Sequence, residues 1–344
     1  MNIFKYLTII FLGIVLVSCG SNSGQKKKDF AIKTNANKGN ISNSETLQLS
    51  LENKKNYTID SVSYRLSGNK INKNSILKNF KLGKQTIEAT VYFNGEKQTT
   101  TSTVTILNSE LPKVYTYNII NEYPHDITSY TQGLEFHNDT LYESTGQLKE
   151  SKLRKLDYKT GKVLKNINLA DEYFGEGLTI LNDKVYQLTW QKGTGFVYDV
   201  NTFEKINSFR YGNSKEGWGL CNYNNTIYKS DGTEKIWLLN SESLVEEEFI
   251  QVYTNKGKIV GINEMEWIDG KIYANRYQKD GVAIINPKNG AVVGVVDFKP
   301  LKKLVTQHEG LDVLNGIAYN PNTKTIFVTG KRWDKLFEVE ILEK

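Results

Sequence analysis

The sequence predicts an all-β protein: a five-bladed β-propeller preceded by a small immunoglobulin-like β-sandwich module. Three observations predict it. A unit of roughly 40–50 residues recurs five times from residue 131 onward. A lone strand-like run precedes the first unit, and residues 29–110 alternate apolar and polar with a period of two. The 20 Tyr, 14 Phe and 27 Gly against only 2 Met lean toward β structure as well.

The chain opens with MNIFKYLTIIFLGIVLVS, in which Lys5 precedes an apolar run from Tyr6 to Val17. That run is shorter than the about 20 residues a membrane span needs and has the length of a signal-peptide core. It ends in Leu16-Val17-Ser18-Cys19, followed by Gly20. The pattern resembles a bacterial lipobox, in which the Cys becomes the lipidated first residue of the mature chain. Residues 1–18 are therefore expected to be a lipoprotein signal peptide, and residues 19–28, which include SNSGQKKK, a flexible tether. The mature protein is expected in the bacterial cell envelope, periplasm-facing or at the surface, held by acyl chains on Cys19. Loss of Lys5 with the leader takes the net charge from +6 to +5. Lipidation consumes Cys19, so Cys221 has no partner for an intrachain disulfide.

Residues 29–110 form the module. Thr46 to Leu51, Ile87 to Phe93 and Thr101 to Leu107 alternate in the strand manner, and Asn94-Gly95 marks a tight hairpin. Short strands at this spacing suggest the sandwich. The segment holds no recognisable chemistry and reads as a spacer or adhesion-like module. Leu111-Pro112 marks its end, and residues 111–344 follow as the propeller.

The propeller rests on self-similarity. Gln132-Gly133-Leu134 is followed by Asp139-Thr140-Leu141-Tyr142, and Glu176-Gly177-Leu178 by Asp183-Lys184-Val185-Tyr186. Trp218-Gly219-Leu220, Asn263-Glu264-Met265 and Asn315-Gly316-Ile317 open three further units of the same kind. Counted from Gly133, the spacings are 44, 42, 45 and 52 residues. Such a unit, carrying four strands, is the signature of a propeller blade. The fifth unit runs out of chain at Lys344, so the run Val114–Ile120 is expected to supply its outer strand and close the ring.

Equivalent positions in successive blades form rings about the axis. One ring is Gln132, Glu176, Trp218, Asn263 and Asn315; a second is Gly146, Trp190, Gly232, Tyr277 and Lys331. The flanks agree while the ring residues differ, which an asymmetric ligand site requires. Glu176 is the only carboxylate on either ring and sits between Gly175 and Gly177, where close packing is possible. Aromatic neighbours would desolvate it and raise its pKa toward the range useful for acid–base work. Aromatic faces also attract cations, and amides such as Gln132 and Asn263 donate to carbonyl oxygens. The set suits a small substrate bearing an amine and an amide.

Other classes are excluded or disfavoured. A charge of +6, from 44 Lys+Arg against 38 Asp+Glu, is too small for a strong polyanion binder, and no nucleic-acid partner is expected. There is no Ser/His/Asp motif, P-loop or dinucleotide fingerprint. The three His (His125, His137 and His308) fall on neither ring, so a His- or Cys-based metal site is not expected. They read as structural or surface residues, His125 being the one close enough to approach the channel mouth. A metal-dependent hydrolase of lactonase type would need several inner-ring carboxylates. No cofactor is expected, and the protein is expected to be a monomer.

Six motifs in order carry a further resemblance: Tyr130-Thr-Gln-Gly-Leu134, Phe174-Gly-Glu-Gly-Leu-Thr179, Lys215-Glu-Gly-Trp-Gly-Leu220, Gly261-Ile-Asn-Glu-Met-Glu-Trp267, Leu314-Asn-Gly-Ile-Ala318 and Val328-Thr-Gly-Lys331. Over residues 113–344 the chain resembles the plant and bacterial type of glutaminyl-peptide cyclotransferase. That family is a five-bladed propeller that converts the N-terminal glutamine of peptides to pyroglutamate and releases ammonia without zinc. The resemblance implies that Glu176 is the catalytic glutamate, acting with Asn263 and Lys331. It implies that Gln132, Phe174, Trp190, Trp218 and Tyr277 bind the substrate, a peptide or protein with N-terminal Gln. Tyr277 stands where the family usually has Trp, and Tyr130 where it usually has Phe. The alternative class is a non-catalytic cell-surface propeller binding peptides or glycans, which would keep the aromatics and have no need of Glu176.

Overall fold

The first three repeats of the sequence each become a four-stranded antiparallel sheet, the last two share one larger sheet, and the first strands of successive repeats touch in a closed cycle. The computed structural model describes residues 29–344. The expected signal peptide, the expected tether and Cys19 lie outside the described residues.

Eight strands precede the propeller: β1 (Phe30–Thr34), β2 (Asn40–Ser42), β3 (Thr46–Asn53), β4 (Ile59–Leu66), β5 (Asn69–Ile71), β6 (Asn74–Ile76), β7 (Gly83–Phe93) and β8 (Glu96–Leu107). They form two sheets, β1-β3-β6 and β2-β8-β7-β4-β5. The period-two pattern has its physical reason here. Leu47 and Leu49 of one sheet and Ile87, Ala89, Val104 and Ile106 of the other are buried in one shared core. Tyr253 and Ala291 of the propeller enter that same core. A Lys81–Glu248 ion pair at 2.7 Å and the bond from the Leu82 N–H to the Asn289 carbonyl at 2.9 Å fasten the module to the propeller.

The strand β9 (Lys113–Pro124) comes next, then blade 1: β10 (Thr131–His137), β11 (Thr140–Thr145), β12 (Lys152–Asp157) and β13 (Lys162–Asn168). Blade 2 is β14 (Gly175–Leu181), β15 (Lys184–Thr189), β16 (Thr194–Asp199) and β17 (Lys205–Arg210). Blade 3 is β18 (Leu220–Tyr223), β19 (Thr226–Ser230), β20 (Lys235–Asn240) and β21 (Glu246–Gln251). Blade 4 is β22 (Ile262–Ile268), β23 (Lys271–Arg276), β24 (Gly281–Ile285) and β25 (Val292–Asp297). Blade 5 has β26 (Leu314–Asn320), β27 (Thr325–Gly330) and β28 (Lys335–Glu343), and takes β9 as its outer strand.

The expected closing strand is thus present and longer than expected. It pairs antiparallel with β28 from Pro124↔Lys335 to Tyr115↔Glu343. Its start also pairs in parallel with β25, from Lys113↔Gly294 to Tyr115↔Val296, so blades 4 and 5 share one eight-stranded sheet. Apolar side chains fill the space between blades. Leu134 and Phe136 of blade 1, for instance, pack with the fully buried Phe327 of blade 5. Truncating a buried Phe of this kind to Ala costs about 3–5 kcal/mol.

The repeated glycine is explained by how closely the inner strands approach. A Cβ at Gly133 would lie 2.4 Å from the Leu178 nitrogen, and one at Gly177 2.6 Å from the Gly219 Cα. One at Gly219 would lie 2.0 Å from the Asn263 carbonyl oxygen. Any side chain at these places would push neighbouring blades apart.

Candidate active site

The ring residues stand at irregularities of the inner strands. Pairing slips between Thr131 and Gly133, between Gly175 and Leu178, between Ile262 and Met265, and between Leu314 and Ile317. These β-bulges contain Gln132, Glu176, Asn263 and Asn315 respectively. A bulge re-aims a side chain that regular pleating would place elsewhere, and here the same device occurs in four blades at one end of the channel.

The result is a pocket of ≈ 220 Å³ lined by Tyr130, Gln132, Gln147, Phe174, Glu176, Trp190, Trp218, Asn263, Tyr277 and Lys331. Drug-sized pockets run to roughly 300–1,000 Å³, so this one is sized for about one residue. A larger cleft of ≈ 1100 Å³ lies between the module and blade 3, but none of the ring residues lines it. All eight side chains expected at the site converge in the smaller pocket. Gly146 and Gly232 of the second ring are there by omission. A Cβ on Gly146 would sit 2.4 Å from the Phe174 ring, and one on Gly232 2.6 Å from the Trp218 indole.

The walls are aromatic and the floor is charged. Phe174 meets Trp190 edge-on at 5.6 Å, and Trp218 meets Tyr277 edge-on at 5.4 Å. Glu176 is buried, 5% exposed, and Lys331 is 3% exposed. Burial lifts the Glu176 carboxyl well above the usual carboxylate range; the Lys331 ammonium pulls it back, and the Glu216 carboxylate adds to the rise. Burial likewise lowers Lys331, against Glu176 and Asp312, which raise it. The Lys331 ammonium stands 4.5 Å over the Tyr130 ring and 5.5 Å over that of Tyr277. The Tyr130 hydroxyl, the group that distinguishes it from Phe, donates to Asp312 at 2.7 Å.

Gln132 has a different task from the carbonyl donor expected of it. Its amide N–H donates to the Glu176 carboxylate at 2.9 Å, and its own oxygen accepts from Asn315 at 3.1 Å. Asn315 therefore holds Gln132, Gln132 holds Glu176, and Asn315 itself does not line the pocket. Asn263 is the free amide: its Oδ1 is buried without a hydrogen-bond partner among the described residues. A buried polar atom left unpaired costs free energy until a ligand supplies the partner. His125 does not approach the mouth. It is buried, lying 3.0 Å from Glu143 and 2.8 Å from the Trp333 carbonyl oxygen.

A sequence profile of the glutamine cyclotransferase family matches residues 89–341. The chain belongs to that family. A curated relative is the glutaminyl-peptide cyclotransferase of Arabidopsis thaliana, 38% identical over 226 residues, 65% of this chain and 70% of that protein. The crystal structure of Myxococcus xanthus glutaminyl cyclase superposes with a TM-score of 0.62 at 36% identity, covering 67% of this chain and 98% of that one. The propeller fold expected from the repeats is that of the family. Its profile starts earlier than the resemblance at 113–344, at residue 89 inside β7, and so takes in the last strands of the module.

The cyclotransferase channel also holds more carboxylates than the rings disclosed. Glu264 occupies the place of the repeated glycine in blade 4 and accepts the N–H groups of Ile317 at 2.9 Å and Leu134 at 3.4 Å. Glu135 accepts from Thr179 at 2.7 Å and from the Ile180 N–H at 3.0 Å. Burial raises the Glu264 and Glu266 carboxyls well above the usual range and Glu135 to about 7, and the bonds of Glu264 and Glu135 staple neighbouring blades together. Glu176 remains the one carboxylate of the two rings, and among the described residues it is the one that lines the pocket. Among the described residues, no group of three or more His, Cys, Asp or Glu side chains is placed to hold a metal ion. Gln147, which also lines the pocket, was not foreseen; it takes a left-handed turn conformation, φ 88°, that no local motif announces. Cys221 is free and buried, and burial pushes its thiol well up.

Proposed function

We propose that this enzyme cyclises the N-terminal glutamine of peptides and proteins to pyroglutamate and releases ammonia. The observation that carries the reading is a carboxyl, Glu176, buried in a one-residue aromatic pocket and displaced upward in pKa beside a desolvated lysine. A carboxyl whose pKa is raised out of the usual range is a stronger base for the amine proton than an ordinary carboxylate.

The α-amine of the substrate has a pKa of about 7.7–8.0, so a useful fraction is neutral near pH 7. Its nitrogen attacks the carboxamide carbon of the same residue, forming the lactam N–C bond. Glu176 takes a proton from that nitrogen and returns it to the carboxamide nitrogen. The C–N bond then breaks and ammonia leaves, so the enzyme ends in the state in which it began. Lys331 and the Asn263 amide nitrogen stabilise the oxyanion between the two steps. The unpaired Asn263 Oδ1 accepts an N–H of the substrate. Phe174, Trp190, Trp218 and Tyr277 exclude water and hold the side chain folded back on its own amine.

Replacing Glu176 by Gln keeps the shape and still accepts from Gln132. Ammonia release from a Gln-initiated dipeptide should then show kcat lowered by roughly 10²–10⁴, with KM within a few fold. A raised KM with kcat retained would reduce Glu176 to a binding charge.

The setting of the enzyme is part of the same proposal. The run Tyr6–Val17 and the Leu16-Val17-Ser18-Cys19 pattern support a lipid-anchored protein of the cell envelope, and the small net charge of +6 supports the absence of a nucleic-acid partner. The order β2-β8-β7-β4-β5 opposite β1-β3-β6 supports an immunoglobulin-like kinship for the module. Cys19→Ala should abolish lipid labelling, and unchanged labelling would remove the anchor.

A further inference from the structure

Two of the pocket walls, Trp190 and Trp218, come from different blades, and the first of them is poorly held by packing. Trp190 is 38% exposed and lies just beyond the end of β15, with one aromatic neighbour, Phe174. A wall that swings cannot hold a substrate folded. Behind the wall, outside the pocket lining, one carboxylate oxygen accepts both indoles. Glu216 Oε2 lies 2.9 Å from Trp190 Nε1 and 2.9 Å from Trp218 Nε1. Its other oxygen accepts from Gln191 at 3.3 Å. Bonds to an ionised acceptor are roughly twice as strong as neutral ones.

The clamp stands on a buried platform. The Glu216 carbonyl oxygen accepts from Lys229 Nζ at 2.8 Å. Lys229 is fully buried, paired with Glu246 at 3.2 Å, bonded to Ser214, and 4.2 Å above the Tyr211 ring. The Tyr211 hydroxyl accepts the Thr189 N–H at 2.9 Å and lies 2.8 Å from the Thr189 carbonyl oxygen, next to Trp190. The circuit closes: Lys229 fixes Glu216 directly and, through Tyr211, the base of Trp190.

We infer that Glu216 is a positioning residue of the cyclisation: its carboxylate locks the two indoles at the spacing that keeps the bound glutamine folded. This rests on the cyclotransferase reading, but the lock itself can be read without substrate. Glu216 also contributes charge at Glu176, so removing it has two separable effects, geometric and electrostatic. Gln retains an oxygen that accepts both N–H groups and removes only the charge; Ala removes both.

The test uses the full-length protein, with acrylamide quenching of tryptophan fluorescence and steady-state kinetics on a Gln-initiated dipeptide. Glu216→Ala should make tryptophan emission more quenchable and lower kcat/KM by roughly 10–100-fold, mostly through KM, as misplaced positioning groups do. Glu216→Gln should recover parental quenching and most of the KM. Should Glu216→Ala fold poorly, Trp190→Phe, which keeps a ring and loses the N–H, supplies the second measurement. It should raise KM by a similar factor in the parent and in Glu216→Gln, since both keep the oxygen that accepts the indole N–H, and an unchanged KM in both would overturn the inference. Parental quenching and KM in Glu216→Ala would overturn the inference. So would a Glu216→Gln enzyme as impaired as Glu216→Ala, since charge rather than the clamp would then be at work. An inactive parent with the quenching pattern intact would instead sink the cyclotransferase reading and leave the clamp standing.

Discussion

Substituting Met for Lys331 separates oxyanion stabilisation from every other task of the pocket. The ammonium is 3% exposed, is faced by two tyrosine rings at 4.5 and 5.5 Å, and makes no hydrogen bond to the described residues. Its donors are therefore free for the substrate. Met keeps the length of the stem and removes the charge. Loss of one preorganised donor to a developing oxyanion costs roughly 10²–10³ in kcat, about 2.7–4 kcal/mol. Folding stability should hardly change. Cation–π attraction of about 0.5–2 kcal/mol per ring is lost, but so is the burial of a charge. The variant should also displace the pH profile. Lys331 holds the Glu176 carboxyl down against burial, so its removal lets that pKa climb further. A protonated Glu176 cannot take the amine proton, and the acid limb of kcat/KM should move to higher pH. Ammonia release across pH, with thermal melts as a control, measures all three effects. A kcat within about three-fold of the parent, with the acid limb unmoved, would refute the assignment of Lys331.

Two further outcomes are expected. Burial first, and Glu135 and Glu264 next, raise the Glu266 carboxyl, so the stability it contributes is full below its unfolded pKa and is lost as pH rises through the folded one. Glu266→Gln removes that loss, and its Tm advantage over the parent should widen from acid to alkaline pH, at about 2–4 °C per kcal/mol for a domain of 150–250 residues. A Tm difference that is constant with pH would show that the channel does not raise the Glu266 carboxyl above its unfolded value. A fragment of residues 110–344 should melt as one cooperative unit, whereas one starting at Gly133 lacks β9 and should not; equal midpoints would refute closure by that strand.

Much of this was legible because a propeller writes its architecture locally. Each blade needs the same turns and the same small residue at the tight inner approach, so Gly133, Gly177 and Gly219 recur, and the residues beside them fall into register. The unfinished last unit likewise pointed to a strand from before the first. What stayed hidden depends on neighbours that only ring closure provides. Gln132 reads as a free amide until Asn315, 183 residues away, takes its oxygen and Glu176 its nitrogen. Glu264 breaks the glycine rule, and its reason, two N–H groups on two other blades, leaves no trace in local alternation. Glu216 sat inside a recognised motif, yet its partners could be assigned only once Trp190 and Trp218 were seen on adjacent blades.

The pairing of β9 with β28 also sets an order of events in folding. Tyr123 and Glu338 touch across 215 residues of intervening chain. Bringing such distant segments together costs conformational entropy of about 5 kcal/mol from loop length alone, by the (3/2)RT ln n scaling. Contacts of that separation form late, and topologies rich in them fold slowly. During synthesis the first propeller strand emerges early and has to wait, its edge toward β28 unpaired, until β28 has left the ribosome. Blades 1 to 4 can assemble in sequence meanwhile. Lys331 lies on the last unit beside the closing strands, so the pocket acquires its cation only when the ring shuts, and the enzyme cannot become active before it is complete.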